Sequence, residues 1–413
     1  MTVKNLLFKN SRPLKYFIFR LTCVVIAVMF TSCEQNPTAP NEPPKPYGYQ
    51  EDIYWPSLAD SPWPMNHHDP QNTGRSEHIG ALSGLIIDSI ITKNITSGVV
   101  MGNGYELYFL SSYKSFLTAM DLSGKTIWEK EIAIEGFNTP LVDANGNIYA
   151  TGWSDLIAFT GKGDTLWNFF LDEKNVTKAL NIDKDGNLFL MDNSKTLYSI
   201  TKFGKLKWRI TDERFSLLND PAISPDGKKI YIQGSSVSII AIEISTGSIN
   251  WTFGEEQLSS GITVDNGGNI YFLTGGSLVS GQSKYYFYSL NSSGNVRWKI
   301  SVNGNFLTFD QATVDKFGNI YFGIDTLYSV SYDGNINWKV PLPNTSIDGD
   351  IVCDLNGNTY FGTADGFISA YSAKGNFLWK FYGGFRSTLS PLIIGNGMVG
   401  IPIYDERKIY LIK

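Results

Sequence analysis

Thr139-Pro-Leu-Val-Asp-Ala-Asn-Gly-Asn-Ile-Tyr-Ala-Thr-Gly-Trp-Ser-Asp-Leu-Ile-Ala-Phe-Thr-Gly-Lys-Gly-Asp-Thr-Leu-Trp167 holds four short apolar runs separated by clusters of Gly, Asn, Asp and Ser. Runs of that length between turn residues read as strands, and four in succession as an antiparallel meander. The stretch closes on G-x-x-x-W, a motif that occurs seven times: Gly124…Trp128, Gly163…Trp167, Gly204…Trp208, Gly247…Trp251, Gly294…Trp298, Gly334…Trp338 and Gly375…Trp379. Successive tryptophans lie 39, 41, 43, 47, 40 and 41 residues apart. Such a period, filled with short strands, is that of a propeller blade.

Other positions share the period. D-x-x-G-N recurs at Asp143 to Asn147, Asp183 to Asn187, Asp315 to Asn319 and Asp354 to Asn358, the composition of a tight hairpin. A small residue returns in the third strand, at Ala158, Ser199, Ala241, Ser289, Ser329 and Ala370. The first-turn glycine occurs eight times, at Gly104, Gly146, Gly186, Gly227, Gly268, Gly318, Gly357 and Gly397. Eight first turns against seven tryptophan turns leave Lys408 to Lys413 as a third strand without a fourth. An open edge is an aggregation hazard, and Leu85-Ile-Ile-Asp-Ser-Ile-Ile91 is an apolar strand without a partner. The expected fold is therefore all-β: an eight-bladed propeller of four-stranded antiparallel blades, the last closed by an N-terminal strand. An insertion at Gly275 to Lys284, rich in Gly and Ser, reads as a surface loop.

Residues 1–32 are different in kind. Lys4, Lys9, Arg12, Lys15 and Arg20 precede an apolar run from Leu21 to Phe30, and no acid is present. This is an export leader. It ends Met29-Phe-Thr-Ser-Cys33, which resembles a bacterial lipobox and makes Cys33 the expected lipid attachment site, although Phe30 departs from the usual Leu. Residues 33–62 carry seven prolines and read as an extended tether, leaving 63–413 as the propeller. The expected location is the cell envelope, anchored by lipid to a bacterial membrane.

Loss of the leader leaves 29 of the 34 Lys+Arg against 39 Asp+Glu, an acidic balance that excludes nucleic acid as a partner class. Of the three cysteines only Cys353 remains in the folded part, so no internal disulfide forms there. Cys353, within Ile351-Val-Cys-Asp354, reads as a core thiol. His67-His-Asp69 superficially suits a metal, but adjacent residues of an extended chain point apart, and the histidines read as structural. Asp69 and Arg75 are expected to pin their segment to the ring. The D-x-D-G-N of Asp183 to Asn187 lacks the glutamate of a calcium loop. Glu255-Glu256 and Asp405-Glu406 read as solvated turn charges. No catalytic, cofactor-binding or metal-binding residue is assigned, and no cofactor is expected.

Units such as Gly357-Asn-Thr-Tyr-Phe-Gly-Thr-Ala-Asp-Gly-Phe-Ile-Ser-Ala-Tyr-Ser-Ala-Lys-Gly-Asn-Phe-Leu-Trp379 resemble the repeat of the pyrroloquinoline-quinone-like β-propellers, which include quinoprotein alcohol dehydrogenases and BamB-like assembly lipoproteins. The lead-in Trp63-Pro-Met-Asn-His-His-Asp-Pro-Gln-Asn-Thr-Gly-Arg-Ser76 is similar to the segment that precedes the closing strand in bacterial members. The dehydrogenase branch implies a quinone over a cation and a vicinal cysteine pair, which this sequence lacks. The BamB-like branch implies a non-catalytic, monomeric, membrane-anchored module that binds a protein partner in the envelope. Oxidoreductase activity and recognition of an extracellular polymer or peptide are the alternatives. Tyr285-Tyr-Phe-Tyr288, beside the insertion and outside the repeat, is the favoured partner surface; the seven tryptophans are assigned to architecture.

Overall fold

The structure, a computed structural model, describes residues 44–413 except 94, 112–115, 133–137, 172–179, 217–218, 255–257, 259, 280–281, 305–310, 385–389 and 405. The leader, Cys33, Glu255-Glu256 and Asp405 lie outside the described residues. The chain divides into two compact units, Met1–Lys45 and Pro46–Lys413, and every described strand belongs to the second.

All the regular structure described is β, in eight four-stranded antiparallel sheets. Seven blades are consecutive meanders, the first from Val100 to Glu131 and the seventh from Val352 to Tyr382. Blade 8 is composite: Leu392–Gly395, Met398–Ile403 and Lys408–Ile412 are completed by Ile86–Ile91, which pairs antiparallel with Lys408–Ile412. The chain thus closes the ring with the strand that sequence counting left unpaired. Innermost strands are buried throughout, as at Leu141–Val142, whereas outermost strands alternate, as in Thr165–Phe170. Each blade is covered on both faces by its neighbours except at the rim, so only the rim strand needs an alternating pattern.

Pairing explains the repeated positions as one device. In blade 2, Tyr149 pairs with Ala158, and Ala158 with Trp167. The small central residue lets the indole reach across to the tyrosine, with ring centroids 5.8 Å apart. The row recurs as Tyr108-Ala119-Trp128, Phe189-Ser199-Trp208, Tyr231-Ala241-Trp251, Tyr271-Ser289-Trp298, Tyr321-Ser329-Trp338 and Tyr360-Ala370-Trp379. Each indole then meets the G-x-x-x-W glycine of the next blade. A Cβ on Gly163 would lie 2.7 Å from Trp128, and one on Gly375 2.8 Å from Trp338. The indole N–H also crosses: Trp128 Nε1 donates to Gly161 O at 2.9 Å and Trp338 Nε1 to Ala373 O at 2.9 Å. Glycine and tryptophan of one motif therefore serve two different interfaces, which is why they recur together.

Blade 8 carries an eighth copy that lacks the aromatic. Gly84 packs on Trp379, and Trp379 Nε1 donates to Ala81 O at 3.0 Å, but Asp88 holds the tryptophan position opposite Leu411. At the last interface Ile90 faces Gly124 instead, 3.4 Å from a Cβ there. The count of seven was a count of tryptophans; the glycine was present eight times.

First turns are closed by their aspartates. Asp143 Oδ1 accepts the amides of Asn145 and Asn147 at 2.9 and 2.8 Å, and Oδ2 accepts the Asn147 amide and the Tyr149 hydroxyl, both at 2.9 Å. Asp315 and Asp265 repeat the pattern. Asp183 uses both oxygens on Asp185 and Asn187.

The insertion is not a loop. Strands Ile270–Val279, Gln282–Leu290 and Val296–Gly304 extend blade 5 into a three-stranded projection. The Gly content that argued for a loop marks a bulge between Gly275 and Ser277, where Gly275 adopts φ +114° and a Cβ would sit 2.5 Å from Lys284 O. The Tyr285 to Tyr288 cluster is split by strand alternation. Tyr285 and Phe287 are buried, Phe287 stacked on Phe322 of blade 6 at 3.7 Å. Tyr286 and Tyr288 are half-buried beneath Lys299, whose ammonium lies 4.0 and 5.1 Å from their centroids.

Candidate functional site

Residues Trp63 to Ile79 fill one end of the ring axis, on the face that carries the first turns. They hydrogen-bond to the innermost strands in blade order. Met101 N donates to Trp63 O, Val142 N to Pro64 O, Ile223 N to Pro70 O, Val264 N to Gln71 O, Val314 N to Thr73 O and Cys353 N to Gly74 O. The Asn181 amide of blade 3 reaches Pro70 O at 3.0 Å, and Gly397 N of blade 8 donates to Ile79 O at 3.1 Å. Every blade is thereby engaged by one short stretch of chain, an axial plug.

The plug folds on a local knot. His67 O accepts the amides of Asp69 and Gly74, both at 3.0 Å. Asp69 Oδ1 accepts the Gln71 and Thr73 amides at 3.0 and 3.1 Å, and Oδ2 accepts the Thr73 hydroxyl. Burial pushes the Asp69 carboxyl up, but His68, the Thr73 hydroxyl and Arg75 outweigh it and hold it below the usual carboxylate range. The knot demands left-handed backbone at His67 (φ 54°), His68 (φ 74°) and Asn72 (φ 57°), a costly conformation for side chains of that size. Asn72 recovers part of it through its amide, which donates to Pro221 O and Ile262 O at 3.0 and 3.2 Å.

The expected roles of this segment divide. Arg75 does pin it to the ring, from Nη1 to Val314 O at 3.2 Å, whereas Asp69 closes the knot itself. The two histidines point to different surroundings. His67 is buried, with Nε2 3.4 Å from Asp350 Oδ2, which also accepts the Ser390 hydroxyl. Next to it Asn66 donates to Asp220 Oδ2 at 2.6 Å. Asp220, Asp350 and Ser390 stand just before the innermost strands of blades 4, 7 and 8. Ser390 bonds to Asp350 and, among the described residues, not to a histidine. His68 packs edge-on against Trp63, its ring centroid 5.3 Å away, on the other side of the plug.

A second segment crosses above the plug. Gln50 N donates to Lys316 O, Asn266 N donates to Gln50 Oε1, Ala144 N donates to Ser57 O and Ala59 N donates to Val142 O. Trp55 is buried against Phe189, Ile223 and Ile232, with Lys184 5.0 Å above its ring. The described part of the proline-rich stretch is thus a strap laid across blades 6, 5, 3 and 2. Prolines limit its helix and sheet content without preventing it from binding the first turns.

The quinone and cation implied by the dehydrogenase branch do not fit the described residues. The axis at the turn face is occupied by the plug. Cys353 is a lone buried thiol that accepts from the Thr313 hydroxyl at 3.3 Å, and burial raises its pKa. Among the described residues, no group of three or more His, Cys, Asp or Glu side chains is placed to hold a metal ion. No helix among them is long and apolar enough to cross a membrane.

Residues 154–339 match the model of the family described as outer membrane protein assembly factor BamB. No curated protein matches the chain. Among solved structures, quinohemoprotein alcohol dehydrogenase from Comamonas testosteroni superposes with a TM-score of 0.62 at 13% identity, covering 86% of this chain and 80% of that one. A europium-containing methanol dehydrogenase gives 0.61 at 14%, covering 83% and 90%. BamB from Moraxella catarrhalis gives 0.57 at 16%, covering 79% and 96%. At these identities the likeness is one of fold. Its ring of eight four-stranded blades makes the chain a β-propeller, and within that ring residues 154–339 are similar to the BamB family.

Proposed function

We propose that the chain is an exported, lipid-anchored β-propeller that acts as a non-catalytic binding or scaffolding module in envelope assembly. The plug carries this reading: the segment Trp63 to Ile79 takes up the innermost strands at one end of the axis, where a propeller has space for a bound reactant. The match to the BamB family over residues 154–339 favours a protein partner. The leader and Cys33 favour anchorage to a membrane, with the proline-rich residues before the strap as tether.

A quinone-dependent oxidoreductase is the competing reading, favoured by the fold of the dehydrogenases and by the buried His67 beside Asp350. Reconstitution of the purified protein with pyrroloquinoline quinone and calcium separates the two. No dye-linked turnover is expected; turnover above the apo level would reverse the assignment. Cys33→Ser is expected to move the protein from the membrane to the soluble fraction, and retention on the membrane would remove the anchor.

A further inference from the structure

Strap and plug border an open cavity of about 560 Å³ on the turn face, a volume in the range of small-molecule sites. Asp52 and Asp60 of the strap line it together with His68, Asp69, Arg75 and Glu77 of the plug. Arg75 is only 7% exposed. Among the described residues its guanidinium makes one hydrogen bond, from Nη1 to Val314 O, and no ion pair. An arginine at that depth ordinarily presents its fork to a carboxylate or phosphate, because an uncompensated buried charge is costly. His68 borders the same space, its Nδ1 facing Asp69 Oδ2 at 3.6 Å. Asp69 offsets part of the Arg75 charge through space, but its oxygens bond to Gln71 and Thr73 and not to the fork.

The geometry points to a binding site for a small organic carboxylate that also carries hydrogen-bond donors, seated with its carboxylate on Arg75 and its donors toward Asp60 and Glu77. Charge selects this class. Asp60, Asp69 and Glu77 border the cavity, with Asp52 offset by Lys316 at 3.0 Å, and repel a dianion such as phosphate, whereas a monoanion bearing ammonium or hydroxyl groups satisfies both ends. Two sources share that chemistry, an α-amino acid and a sugar acid. The site is independent of the scaffold reading.

Calorimetry on the full chain in detergent, with free L-amino acids, D-galacturonate and inorganic phosphate as probes, tests it. One of the two acids is expected to bind, and which one identifies the source. Its counterpart without the carboxylate, and phosphate, should bind roughly tenfold or more weakly, the loss expected for a charge-assisted pair. Arg75→Lys keeps the charge but removes the fork and should lose affinity by a similar factor. Glu77→Gln, at an exposed position, should weaken binding without affecting folding, and it decides the question if Arg75→Lys does not fold. Binding of neither acid, equal binding of phosphate, or unchanged affinity in the variants overturns the proposal.

Discussion

Gly163 and Gly146 both adopt left-handed backbone, at φ +84° and +75°, but only one meets a neighbour. A Cβ at Gly146 would have nothing within 4 Å, whereas one at Gly163 would lie 2.7 Å from Trp128. Gly146→Ala is expected to cost about 1–2 kcal/mol, the left-handed penalty alone. Gly163→Ala should cost about 1–3 kcal/mol more, because the indole must leave its row. Urea denaturation of both variants checks this, and equal costs would mean that tryptophan packing does not depend on the glycine. The buried turn aspartates give a pH dependence. Burial pushes the carboxyls of Asp183, Asp265 and Asp315 above their usual range, against the pull of the adjacent asparagine amides. The folded state then keeps these protons longer than the unfolded chain, so stability falls as pH rises from the ordinary Asp value through the raised one. Asp315→Asn abolishes that titration at one site. Its stability deficit should be largest at the acid end of this window and shrink toward neutral pH; a deficit constant with pH would contradict the raised value.

At the scale of elements, the blades were legible in the sequence because each repeats the same row of residues, and repetition exposes a pattern that a single blade would hide. Two elements were not. The eighth motif at Gly84 escaped because Asp88 replaces its tryptophan, and the insertion looked like a loop because a bulge glycine has a loop's composition. Strap and plug bond to residues as distant in sequence as Gly397, which donates to Ile79 O, and have no period, so only the fold reveals their contacts. Trp55, in a stretch that reads as tether, is the most direct test of the strap. Trp55→Ala should lower stability by about 3–5 kcal/mol, as for a buried tryptophan, while Tyr54→Ala, at an 81% exposed position, should change it little. Equal, small effects would return the strap to the tether. Ile90→Pro, opposite Ile409 in strand Ile86–Ile91, breaks the pairing that covers the edge of Lys408–Ile412 while strap and plug stay in the chain. Size-exclusion chromatography is expected to show oligomers or aggregate, and a stable monodisperse ring would show that closure does not need the strand.

For the whole molecule, the repeat explains the ring, and the non-repeating chain explains what distinguishes one face. Seven interfaces are held by an indole on a glycine, with the N–H crossing to the next blade at six of them. Trp251 Nε1 is buried without such a partner among the described residues. The candidate site was only partly visible beforehand: Asp69 and Arg75 stood out by charge, but the cavity between strap and plug depends on the approach of two segments over the ring. A platform with its axis plugged at one face should act through partners that bind its surface. Cross-linking in cells followed by affinity capture of the full chain from membranes measures that directly. The account predicts recovery of a specific envelope protein in near-stoichiometric amount, lost when Cys33→Ser releases the chain; capture of no envelope protein from the membrane-bound form would contradict it.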